Sequence, residues 1–134
     1  MTGSPEFSAV VGAPRLLLRL EGLGLAAVSV ALYAWADASW WLFSILILAP
    51  DLSMLGYLAG PRIGAAVYNA VHTLIGPMVL GLAALLLPET SGVLPVALIW
   101  AAHIGLDRAL GYGLKYPAGF GFTHLGRISR QAIG

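Results

Sequence analysis

Glu21, Asp51, Asn69, His72, His103 and Asp107 lie inside apolar runs long enough to cross a lipid bilayer. A charged group in hydrocarbon costs at least about 2.5 kcal/mol, so such residues turn toward a bundle interior and mark a functional site. Two imidazoles, three carboxylates and an amide form a mixed nitrogen and oxygen donor set. Donors of that softness suit zinc, iron, manganese or cobalt rather than copper(I). Asn69 and His72 are three residues apart, and His103 and Asp107 four apart. Either interval places two side chains on one helix face. Asp51, His72, His103 and Asp107 are therefore the candidate metal ligands. Glu21, Asp51 and Asp107 are the candidate catalytic acids or bases. Asn69, Tyr57, Tyr68, Arg108 and His124 are expected to surround them, and Ser53 and Thr73 could add hydrogen bonds.

The elements that must hold this set are membrane helices. The chain has 134 residues, 59% of them hydrophobic and 10% charged, against roughly 25% charged in soluble domains. Its mean hydropathy is +0.87. Continuous apolar runs of this length satisfy their backbone in lipid only as helices, since barrel strands would alternate. Spans are expected at about 16–36, 40–59, 63–87 and 93–114, the second interrupted at Pro50-Asp51. The expected fold is an all-α membrane protein, an antiparallel four-transmembrane-helix bundle with short loops. Gly3-Ser4-Pro5-Glu6-Phe7 reads as translated cloning sites, so residues 1–7 are set aside as a vector remnant or disordered N-terminus. Residues 8–134 form one domain ending in a basic tail, 115–134.

Charge orients the bundle. With four spans, Arg15, Arg19, Arg62, Arg108, Lys115, Arg127 and Arg130 all fall on one side, and Asp37 and Glu89 on the other. The positive-inside rule then makes both termini cytoplasmic. Trp35, Trp40 and Trp41 flank the outer turn, as an interfacial aromatic belt would. There is no cysteine, which excludes disulfides, thiolate ligands and cysteine nucleophiles. The net charge of +1 points to no nucleic-acid partner.

At 1.5 Å per residue the six polar residues fall about 8–16 Å below the cytoplasmic ends of their spans, all in one half of the membrane. Pro50 removes a helical hydrogen bond and frees a carbonyl near Asp51. The layout is like that of carboxylate-bridged bundles, in which two helices give single acids and two give acid–histidine pairs. The singles here are Glu21 and Asp51. Of the pairs, Asn69/His72 has an amide for an acid, and His103/Asp107 has reversed order and wider spacing. Simpler pairings are also open, Glu21 with Arg15 or Arg19, and Asp107 with Arg108 or Arg62.

The run Ala49-Pro50-Asp51-Leu52-Ser53-Met54-Leu55-Gly56-Tyr57-Leu58-Ala59-Gly60-Pro61-Arg62 and the segment Tyr68-Asn69-Ala70-Val71-His72-Thr73 carry a family resemblance. So do the stretch from Ala102 to Pro117 and the closing Thr123-His124-Leu125-Gly126. Together they resemble a bacterial family catalogued as domain of unknown function 4260. The resemblance implies a small multi-pass protein of the bacterial cytoplasmic membrane and no particular activity. It also implies an acid before Thr123-His124, where this chain has Phe122.

Four functions are compatible with these residues. A metal-dependent membrane enzyme would act on a lipidic or apolar substrate, with a divalent metal acidifying water. A metal-free acid/base enzyme would isomerise such a substrate. A proton- or cation-coupled transporter subunit would use the acids and histidines as a relay and would require a homo-oligomer. A structural protein would use them only to hold helices together. No nucleophile elbow, phosphate loop or dinucleotide fingerprint is present.

Overall fold

The computed structural model describes residues 12–114 and the backbone of 122–123 and 126–127. Helix α1 is Gly12–Trp35, α2 Trp40–Leu46, α3 Pro61–His72, α4 Ile75–Leu86 and α5 Leu94–Leu110. A 3₁₀ segment, Ala49–Ala59, follows α2, and a second, Pro88–Val93, precedes α5. Strands β1 (Phe122–Thr123) and β2 (Gly126–Arg127) pair antiparallel beyond the helices. Four helical stretches are long and apolar enough to cross a membrane: Gly12–Trp35, Trp40–Ala59, Pro61–Leu86 and Pro88–Leu110. The all-α, four-span expectation holds, with shifted ends. Span 4 stops at Leu110 because Gly111 (φ 89°) closes the helix in the left-handed conformation. His124, residues 1–7 and most of the basic tail lie outside the described residues.

The third span departs from the expected continuous helix. Thr73 is extended (ψ 151°) and separates α3 from α4. Pro77 explains the restart: within α4 it falls in the first turn, where its missing N–H leaves no ladder bond unmade. The second span changes helix type. Pro50 cannot donate, and Asp51 N bonds Leu48 O at 3.0 Å, an i to i−3 bond. The sequence beyond it has period three. Leu52, Leu55 and Leu58 form one exposed stripe, while Pro50, Ser53 and Gly56 face inward. Three residues per turn is the 3₁₀ repeat, and it aligns these stripes along the helix.

Helix α5 is the centre of the bundle and packs most extensively on α1, next on α4. Small residues permit the α1–α5 approach. A Cβ on Gly105 would lie 2.6 Å from Ala26 N and 2.7 Å from Gly22 O, and one on Gly22 would overlap Arg108 Cβ. Arg19 Nε donates to Ala109 O at 2.9 Å, satisfying a carbonyl at the end of α5. The 3₁₀ segment packs on α3, where Gly64 receives the ring of Tyr57. At the opposite turn Tyr33 donates to Ser39 O and its ring meets those of Trp40 and Phe43. Much of the outer surface is leucine, isoleucine and valine, as a lipid-facing bundle requires.

Candidate metal centre

The site forms where the Pro50 irregularity of span 2 and the end of α3 at His72 meet α5. Pro50 leaves Ile47 O without a partner in either helix type: the i+3 donor is proline itself, and the i+4 donor, Asp51 N, is engaged with Leu48 O. His103 Nδ1 supplies the missing hydrogen at 2.5 Å. On α3, His72 Nδ1 donates to Tyr68 O at 2.9 Å, with Ser53 Oγ 3.5 Å away. The Tyr68 ring stacks on His72, with centroids 3.7 Å apart and planes 7° apart. Ser53 Oγ itself donates to Pro50 O at 2.7 Å. Both imidazoles are therefore held in the Nδ1–H tautomer and turn bare Nε2 atoms to one point. A histidine that binds metal through one nitrogen typically donates the other N–H to a carbonyl or carboxylate, as both do here.

His72 Nε2 lies 3.2 Å from His103 Nε2 and 3.3 Å from Asp51 Oδ1. His103 Nε2 lies 3.1 Å from Asp51 Oδ1 and 3.2 Å from Asp107 Oδ2. Asp107 Oδ2 is 3.5 Å from His72 Nε2. One ligand atom from each of the four residues lies within 4.8 Å of all the others. Ligands bound at 2.0–2.1 Å in a tetrahedron stand about 3.3–3.4 Å apart. Five of the six edges of this set, at 3.1–3.5 Å, match that figure.

The electrostatics point the same way. Asp107 Oδ2 is buried and accepts no hydrogen bond from the described residues. Two imidazole lone pairs and two carboxylates converge, all of them acceptors. Either a cation or added protons must reconcile them. The histidines are buried, at 3% and 4% exposure. The side chains of Asp107 and Asp51 are 17% and 36% exposed, so Asp51 forms the open side.

The structure thus assembles Asp51, His72, His103 and Asp107 from spans 2, 3 and 4. Glu21, expected beside Asp51 as one of the two single acids, does not join them. It is exposed and lines a separate cavity of about 300 Å³ with Leu18, Gly22, Leu25, Leu74 and Arg108. The reason is rotational: the close face of α1 is Gly22, Ala26 and Ser29, which leaves Glu21 beside the α5 contact. Asn69 is half-buried one turn before His72. Tyr68 stands directly on the site, and Tyr57 packs over Gly64 on the same hairpin. Arg108 Nη2 donates to His72 O at 3.2 Å. Sequence reading missed Trp100, whose Nε1 donates to Val71 O at 2.6 Å. The available signal was its place in the chain, since the other three tryptophans flank the Asp37 turn and this one sits three residues before His103.

A second cavity, of about 310 Å³, adjoins the cluster and is lined by Leu46, Ala49, Pro50, Val71, Val96, Ile99 and Trp100. Pro50 and Val71 are the chain neighbours of two of the four clustered residues. No curated protein and no solved structure matches this chain. Residues 15–128, which contain the whole cluster, match the family described as Domain of unknown function (DUF4260), and the chain belongs to that family.

Proposed function

We propose that this protein is a metal-dependent membrane enzyme acting on a lipidic or apolar substrate. The observation that carries the reading is the convergence of Asp51, His72, His103 and Asp107 inside the bundle, with five of the six separations between their ligand atoms at 3.1–3.5 Å. Zinc is the ion that spacing fits best, because manganese and iron(II) favour higher coordination numbers. His72, His103 and Asp107 would hold it. A catalytic zinc site keeps one position exchangeable. Asp51, the most exposed of the four, is the group placed to yield that position to water or substrate and then act as general base. Bound zinc would lower the pKa of that water toward 7. The apolar cavity beside Pro50 and Val71 would receive the substrate's hydrocarbon portion.

The basic residues Arg15, Arg19, Arg62 and Arg108 support a location in the bacterial cytoplasmic membrane with both termini inside. The test is elemental analysis of untagged protein in mild detergent, beside His72→Ala and Asp107→Asn. Stoichiometric zinc in the wild type, absent from both variants, is the expected result. Wild-type protein that takes up no metal after incubation with zinc, iron or manganese would sink the reading. It would move the same acids and histidines to metal-free proton transfer, either in an isomerase or in a transporter subunit.

A further inference from the structure

The break in the third span has a consequence for the site. The last carbonyls of any helix lose their helical donors, and Val71 O and His72 O belong to the last turn of α3. Both are served by α5. Trp100 Nε1 reaches Val71 O at 2.6 Å, and Arg108 Nη2 reaches His72 O at 3.2 Å. These donors bracket His103 and Asp107 on the same helix. The indole has space because residue 76 is glycine: a Cβ there would overlap the Trp100 ring. Trp100 therefore fills a slot across the break and holds the backbone that carries His72.

We infer that Trp100 is a positioning residue of the metal centre, setting the height of His72 against His103 through its bond to Val71 O. The inference rests on the metal reading above, and it assigns to one indole N–H a geometry that the ligands alone do not determine. An error of a few tenths of an ångström at Val71 would pass directly to the adjacent His72 Nε2. The Nε2–Nε2 edge would then leave the 3.2 Å that suits a tetrahedral ion.

Cobalt(II) is the probe, because its visible ligand-field absorption reports both occupancy and geometry. Detergent-solubilised wild-type protein, Trp100→Phe and Val96→Ala would be titrated with the metal alone. Phenylalanine keeps a ring over Gly76 and deletes the donor. Val96→Ala enlarges the apolar cavity that Trp100 also lines and removes no donor to Val71 O. The expected result is a shifted, weaker cobalt band and an affinity about 10-fold lower in Trp100→Phe, the lower end of what loss of an outer hydrogen bond costs a metal site. Val96→Ala should keep the wild-type spectrum. A Trp100→Phe spectrum and affinity equal to wild type, even with a lowered melting temperature, would overturn the inference and leave the metal centre standing. An equal shift in Val96→Ala would also overturn it, by showing that packing rather than the hydrogen bond sets the geometry. Wild-type protein without a cobalt spectrum would remove the metal centre, and this inference with it.

Discussion

His103 Nδ1 donates to the carbonyl of Ile47, the oxygen that Pro50 three residues later leaves without a helical donor. A proline in one span thus fixes the tautomer and ring orientation of a histidine in another. The Nε2 of that histidine faces Asp51, Asp107 and His72 as a result. Replacing Pro50 by alanine restores an N–H that can compete for Ile47 O. The expected outcome for Pro50→Ala is unchanged or higher thermal stability with metal affinity about 10-fold lower. Parallel melting curves and metal titrations check it, and unaltered affinity would separate the proline from the site.

Ligand binding stabilises only the state that binds. Zinc at about 100 times its dissociation constant should add about 2.7 kcal/mol to the wild-type protein. A chelator should remove the same increment. His103→Ala should melt at one temperature with or without zinc. Scanning calorimetry in detergent measures all three, and a zinc-dependent shift retained in His103→Ala would place the ion elsewhere.

The two aspartates should not behave alike. Asp107 is the more buried, and its Oδ2 has no hydrogen-bond donor among the described residues. Asp107→Asn should lose the metal on dialysis. Asp51 is 36% exposed, and Asp51→Asn should keep stoichiometric metal while losing turnover of an apolar substrate. Metal content by mass spectrometry gives the first comparison. Equal loss in both variants would make Asp51 an ordinary fourth ligand and the site a closed, structural one.

Close approach of α1 and α5 depends on glycine at two positions. Gly105→Ala would press a methyl group against Ala26 N and Gly22 O, at 2.6 and 2.7 Å. The expected loss is about 1–3 kcal/mol. Gly24→Ala is the control: nothing lies within 4 Å of its added Cβ, so stability should hold or rise. Thermal unfolding in one detergent decides between them, and equal melting temperatures would show that the helices part at no cost.

The local signals were readable. Span number follows from run length and from the cost of unpaired backbone in lipid, both of which are linear in sequence. The ligand types, the interruption at Pro50 and the family were likewise visible in residues 49–73 and 102–126. The three-residue repeat Leu52, Leu55, Leu58 also carried the 3₁₀ helix, although a reading by hydropathy alone passes over it because every stripe there is largely apolar. Pro77 marks a position where an unbroken span 3 would lose a helical hydrogen bond, and the structure places the break at Thr73.

Helix rotation, by contrast, depends on packing between spans. In a helix that is apolar all round, hydropathy does not specify which face turns inward. The phase is set by contacts between helices: Gly22 and Gly105 on α1 and α5, Gly64 beneath Tyr57, Gly76 beneath Trp100. Those contacts exclude Glu21 from the cluster while admitting Asp51, although both are single acids at similar depth. They also bring Ile47 O, a backbone group with no side-chain signature, to the nitrogen of His103. Composition and run length dictate a helical bundle with acids and histidines inside its spans. Which of them meet, and through which atoms, was decided by where the small residues let the helices touch.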